Sequence, residues 1–166
     1  GAHSAYGDKH IKLTKTMRIM QDTAEIGRHA RMAPVELENV ISEMVSEALR
    51  HKTEHGLLYI GSPRMADTHP HVERFSGERL QTMHISVLGN SNGAPWPFAN
   101  VTPLSIEEMP DALRYVLFLS EYTGYGLFAQ QLGESDDWAV FHTSDWNFVE
   151  SMVSKLQDQY DLQRPF

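Results

Sequence analysis

The sequence contains no cysteine. Disulfide bridges, thiolate catalysis, cysteine-ligated zinc and iron–sulfur clusters are excluded on that ground. The lack fits a reducing compartment, so a cytoplasmic protein is expected. No apolar run approaches the roughly 18–20 residues that a membrane span requires. No basic start followed by an apolar stretch marks a secretory signal. The chain opens Gly1-Ala2-His3-Ser4 without a Met, which reads as a cloning remnant. Positive charge is scarce: 14 Lys and Arg stand against 22 Asp and Glu, a net of −8 with neutral histidines. Catalytic fingerprints are missing too. There is no G-x-S-x-G elbow, no P-loop and no G-x-G-x-x-G. Gly124-Tyr125-Gly126 stops short of the last of these and reads as hairpin geometry.

What is present is ordinary for one globular domain: 166 residues, 41% hydrophobic and 22% charged. The charge is unevenly spread. Residues 1–32 carry Lys9, Lys12, Lys15, Arg18, Arg28 and Arg31 against Asp8, Asp22 and Glu25, a net of +3 that leaves −11 on the remainder. Such a body repels phosphate backbones and anionic membrane surfaces, so neither is an expected partner.

Residues 8–31 read as a helix. Leu13, Met17, Met20 and Ala24 recur at steps of four and three, an apolar stripe on one face. It packs either on its own domain or against a second copy. A homodimer that buries the stripe is the reading adopted, because the segment precedes the break at Ala33-Pro34 and has apolar surface to cover. The domains are therefore expected as a helical segment over 1–32 and an α/β domain over 33–166.

Pro34 suits the first turn of a helix, and Glu36 and Glu38 favour its dipole. Leu37, Val40, Ile41, Met44, Val45, Ala48 and Leu49 continue it with one apolar face, and Gly56 is expected to stop it. Leu57 to Ile60 is a strand apolar on both faces. A short helix is predicted over His71 to Leu80, with Val72, Phe75 and Arg79 on one side. Thr82 to Leu88 alternates as a strand, with Met83, Ile85 and Val87 opposite His84, Ser86 and Leu88. Asn90 to Thr102 reads as a loop that embeds Trp96 and Phe98. Ser105 to Glu108 has the form of a capping box, so a short helix is expected there. Strands follow at Leu113 to Ser120, Tyr125 to Leu132 and Trp138 to Thr143. Ser144 or Asp145 caps a last helix whose inward face is Val149, Met152, Val153, Leu156 and Tyr160. The fold class is α/β: a five-stranded mixed sheet with flanking helices, preceded by the amphipathic N-terminal helix.

Nine histidines invite a metal hypothesis. His51 and His55 stand at i, i+4, but Lys52 follows where a zinc protease motif has a carboxylate. His69 and His71 flank Pro70 without a third nearby ligand. Both pairs read more simply as solvated histidines, and no cofactor is indicated. Glu107-Glu108 and Asp136-Asp137 are neighbours whose side chains diverge, so neither makes an acid–base dyad unaided. The aromatic residues of the second half are core candidates. A ligand pocket lined by His84, Trp96, Phe98 and Tyr125 is the sharper possibility.

The run from Val35 to Tyr160 resembles DICT domains, sensory modules attached to bacterial signalling proteins. The matching pieces are Ile41-Ser42-Glu43 through Leu49, Leu57 to Ile60, Val72-Glu73-Arg74-Phe75, Ile85-Ser86-Val87-Leu88-Gly89, and Phe141-His142-Thr143-Ser144-Asp145 leading into a helix. The resemblance implies a non-catalytic signal-input domain. On this reading the protein binds a small ligand or a protein partner and signals through its N-terminal helix. The alternatives are a small histidine-based metal-assisted enzyme and an acidic protein-interaction module.

The charge distribution makes one prediction. The protein should not bind duplex DNA with sub-micromolar affinity at physiological salt. Tight, salt-sensitive binding in a fluorescence-anisotropy titration would show that the basic first 32 residues outweigh the acidic body.

Overall fold

The computed structural model describes residues 27–107, 113–133 and 135–162. The stripe of Leu13, Met17, Met20 and Ala24 lies outside the described residues, as does most of the segment expected as the first helix. The elements in chain order are β1 (Arg28–Met32), α1 (Pro34–Arg50), β2 (Gly56–Arg64), α2 (His69–Val72) flanked by 3-10 turns at Met65–Thr68 and Glu73–Phe75, β3 (Met83–Asn90), β4 (Val101–Ser105), β5 (Leu113–Ser120), β6 (Gly124–Gln131), β7 (Trp138–Thr143) and α3 (Trp146–Tyr160). The strands form one sheet in the order β1-β7-β6-β5-β2-β3-β4. β1 through β2 in that order pair antiparallel, while β2–β3 and β3–β4 pair parallel.

The class is α/β with a mixed sheet and flanking helices, as expected, but the sheet has seven strands rather than five. The two additional strands are its edges. β1 takes Arg28–Met32, where the first helix was expected to run on to residue 31. Its sequence, Arg-His-Ala-Arg-Met, carries only two apolar residues because one side of an edge strand meets water, and edge charge blocks further pairing. β4 takes Val101–Ser105 out of the expected loop. It contains Pro103, which an edge strand tolerates and a central one does not. Ser105 therefore ends a strand instead of capping a helix, and Glu108 lies outside the described residues.

Each face of the sheet carries one long helix. Leu37, Ile41, Val45 and Ala48 of α1 pack on Leu58, Ile60, Ile85, Val87, Val116, Phe118, Leu127, Ala129 and Val140. Val149, Met152, Val153 and Leu156 of α3 pack on Leu57, Tyr59, Leu117, Leu119, Phe128 and Phe141. Period-two alternation sends successive strand residues to the two cores, so β5 is buried along its whole length. The alternation expected for β3 holds, with Met83, Ile85 and Val87 toward α1. Asp145 is the cap of α3, its Oδ1 accepting from the Phe148 N–H at 2.8 Å. The helix expected over 71–80 is shorter and starts at His69. Val72 and Phe75 are buried while Arg79 is exposed.

Two glycines shape the end of β2. Gly61 lies opposite Tyr115, and a Cβ there would collide with the tyrosine ring. A Cβ on Gly89 would strike the Ser62 carbonyl oxygen and stand 3.2 Å from the Met65 amide nitrogen. The register of β2 against β3 shifts between Gly61 and Arg64, an irregularity that interrupts the ladder before Arg64 pairs with Asn90.

The assignment of the α1 core face is testable. Ile41→Ala should lower unfolding free energy by about 2–5 kcal/mol. Val35→Ala, at a side chain 66% exposed, should leave denaturant midpoints nearly unchanged. Equal effects would show that the helix face is wrong.

Candidate ligand-binding cleft

Arg114 is the second residue of β5, on the face that also presents Val116 and Phe118 to α1. It is only 6% exposed. A buried guanidinium remains charged, so it needs a counter-charge and hydrogen-bond acceptors. Glu38, in the second turn of α1, supplies both at one corner, where Nη1 donates to Oε1. The second carboxylate oxygen, Oε2, accepts from Nε2 of His71 at 2.6 Å. His71, on α2, is itself buried. The guanidinium carbon stands 5.8 Å from the centroid of the Trp138 ring on β7, within cation–π range.

The rest of the guanidinium has no partner. Nε and Nη2 of Arg114 make no hydrogen bond among the described residues, nor does the buried Ser62 Oγ. Ser62 lies one position past the last β2–β5 pair, Gly61↔Tyr115, beside Arg114 in the continuing register. Arg114 and Ser62 are among the residues of a cleft of about 1020 Å³ at the carboxyl end of β2, with their unpartnered atoms buried just behind its surface. Its walls include Pro34, Pro63, Pro70 and Trp138, and its charged lining adds Arg64, Asp67 and Asp136. Arg64 Nε is engaged by Asp67 Oδ2 at 3.3 Å. The cleft has the size of a small-molecule site, but most of its lining residues are polar: Asn39, Ser42 and Gln131 join the charged groups, and Ala66, Trp138 and the three prolines make the apolar part.

The two partners of Glu38 set its protonation. Its hydrogen bond from His71 lowers the carboxyl pKa, partial burial opposes this, and Arg114 lowers it further, to about 2. Glu38 is thus an anion at any physiological pH, with both oxygens engaged.

A second cleft of about 810 Å³ lies between α1 and the β1–β7–β6 side of the sheet, lined by Arg28, Val40, Met44, Tyr125 and His142. Burial pushes the His142 imidazole below its usual pKa, and the nearby charges of Arg28 and His29 add to this. Among the described residues this cleft contains no buried polar atom lacking a partner.

The four residues expected to line a pocket do not converge. Trp96 and Phe98 do meet, edge to face at 5.1 Å, with His69 against both rings. Trp96 Nε1 donates to the Val101 carbonyl at 3.0 Å, which ties the loop to β4. Tyr125 borders the second cleft. His84 is exposed on the opposite face of β3 from the α1 core that Trp96 and Phe98 pack against. The histidine pairs also separate by role. His51 lies between Glu54 and Glu47, with Nε2 and Glu47 Oε1 3.1 Å apart. Desolvation lowers its pKa, and the two carboxylates outweigh this, for a net rise. His69 packs on aromatics while His71 binds Glu38. Among the described residues no group of three or more His, Asp or Glu side chains is placed to hold a metal ion.

Arg114, Glu38, His71, Ser62 and Trp138 were not singled out together by the sequence reading. Glu38 had been read as a helix-dipole residue and His71 as half of a loop pair. One signal was available: Arg114 is the single charge within Leu113 to Ser120, a strand apolar on both faces. Such a charge has no solvent to reach and requires a partner.

No protein-family model matches the chain, and no curated protein matches it by sequence.

The Glu38 pair has a pH consequence. A carboxyl whose folded pKa lies below its unfolded value contributes stability that is fully present above about pH 4.5 and disappears as pH falls through about 2. Glu38→Gln should therefore flatten the acid limb of the stability curve across that window. At pH 7 it should cost about 1–3 kcal/mol, less than a fully buried pair, because Glu38 is partly solvated. Chemical denaturation from pH 2 to 7 reads both effects, and parallel acid limbs for the two proteins would exclude the ion pair.

Proposed function

We propose that the protein is a non-catalytic sensory or regulatory domain that takes a small ligand into the Arg114 cleft. The observation that carries this reading is the Nε–Nη2 edge of a buried arginine left without an acceptor. Native structures rarely leave such donors unsatisfied, and each one costs free energy until something fills it. The polar groups present suit binding better than catalysis. Glu38 has both oxygens engaged and a depressed pKa, which makes it a poor proton carrier at neutral pH. Among the described residues the Ser62 hydroxyl has no base in hydrogen-bond contact, as an activated nucleophile would need. The resemblance of Val35–Tyr160 to DICT modules points in the same direction.

The cleft lies close in sequence to the N-terminal segment. Met32 ends β1, Pro34 starts α1 and borders the cleft, and Glu38 follows one turn later. A change in the contacts of Glu38 thus has a short covalent route through β1 to residues 1–26. In this reading those residues carry the signal to a second copy through Leu13, Met17, Met20 and Ala24, in the cytoplasm that the lack of cysteine favours. Among the described residues no helix is long and apolar enough to cross a membrane.

A thermal-shift screen against a broad panel of acidic, basic and neutral metabolites tests the proposal, with native mass spectrometry of the protein as purified. At least one compound should raise the melting temperature, and Arg114→Gln should abolish that rise. A folded Arg114→Gln protein that keeps the full response would place the ligand elsewhere.

A further inference from the structure

Resting on the reading of the Arg114 cleft as a ligand site, we infer that its ligand is a small organic monocarboxylate with an apolar body. The geometry of the guanidinium is the first argument. Glu38 occupies Nη1, one end of the group. The two free nitrogens, Nε and Nη2, lie along one edge and point their N–H bonds the same way. Both nitrogens are buried just behind the cleft surface, so a ligand reaches them by a small shift of the lining side chains. The parallel pair then matches the two oxygens of a carboxylate and gives two charge-assisted hydrogen bonds at once. The unpartnered Ser62 hydroxyl, next to Arg114 in register, can donate a third. A lone amide or hydroxyl on a ligand would fill one of these donors and leave the others unmet.

Charge in the cleft argues for one negative group rather than several. The lining holds Arg114 and Arg64 against Glu38, Asp67 and Asp136. Arg64 is already engaged by Asp67, and Arg114 is shared with Glu38. A phosphate dianion or nucleotide would bring two or more charges into a cleft where three carboxylates repel them, and it would lose more hydration on entry. A carboxylate carries one charge and fits the fork edge. The ligand body then meets Trp138, Pro34, Pro63 and Pro70, surfaces that reward apolar contact. The Trp138 ring also lies within cation–π range of the guanidinium, 5.8 Å from its carbon, so it borders both the fork and the ligand body.

The experiment compares aryl and aliphatic monocarboxylates, phenylacetate among them, with their primary amides and with inorganic phosphate. Binding is read by calorimetry and by tryptophan fluorescence, with Trp138→Phe to assign the optical signal. At least one acid should bind about tenfold or more tightly than its amide, as expected for two charge-assisted hydrogen bonds. Arg114→Lys should remove that preference, because lysine keeps a positive charge opposite Glu38 and loses the fork. Its circular dichroism and melting temperature establish that it is folded. Ser62→Ala, a smaller change, should weaken acid binding several-fold and leave amide binding unchanged. Should the amides bind as well as the acids, or phosphate better than every acid, the carboxylate assignment falls while the cleft stands as a ligand site. Full acid preference in a folded Arg114→Lys protein would also overturn it. If neither acids nor amides bind at millimolar concentration, the carboxylate assignment falls, and the metabolite screen decides separately whether the cleft binds anything.

Discussion

The burial of one permanent positive charge organises this end of the molecule. Arg114 cannot lose its proton, and its place between the sheet and α1 removes most of its water. An anion must come to it, and the nearest element that can bring one is the start of α1. Glu38 meets that need and in turn takes a hydrogen bond from His71. Three elements distant in sequence are thereby joined at one carboxylate. The arrangement remains affordable because Glu38, the carboxylate shared by the buried Arg114 and His71, is partly solvated.

The pair satisfies one corner of the guanidinium and leaves one edge over. That asymmetry separates a structural ion pair from a binding site. An arginine buried for stability alone would be expected to have its remaining donors met by backbone carbonyls, as most buried polar groups do. Here the β2–β5 ladder stops at Gly61↔Tyr115, one position short of Arg114. Gly61 leaves room for the Tyr115 ring, Gly89 allows the Ser62–Met65 segment to approach β3, and the register of β2 shifts between them. The cleft beside this irregularity is bordered by side chains from three other elements, Pro34 of α1, Pro70 of α2 and Trp138 of β7. The second cleft shows the contrast: comparable in size, it presents Val40, Met44 and Tyr125 with no buried donor waiting for a partner.

Much of the scaffold was legible in the chain. The apolar spacing of α1 and α3, the two-sided strands β2 and β5 and the alternation of β3 all follow from burial, which repeats at 3.6 or two residues wherever one element packs on another. The edge strands were not legible. β1 and β4 bury little, so they lack the periodic signal, and their charge and proline belong to edges that must avoid further pairing. The four-residue pocket of His84, Trp96, Phe98 and Tyr125 was assembled from residue type, and the fold puts His84 on the opposite sheet face from the other three, of which only Tyr125 borders one of the two clefts. Only the contact of Trp96 with Phe98 is local enough for the chain to predict.

By itself the sequence determined the class of fold, the two cores, a cap for the last helix at Ser144 or Asp145 and the exclusion of cysteine chemistry. These depend on composition and on contacts a few residues apart. Tertiary structure alone decided the strand order, the seven-stranded width and the site. Glu38, His71 and Arg114 are separated by 33 and 76 residues, counted from Glu38. No local pattern encodes a meeting over that distance. It arises because β5 pairs with β2 at the sheet's centre, α1 crosses above them, and a charge caught beneath the helix must find its counter-charge wherever the fold brings one.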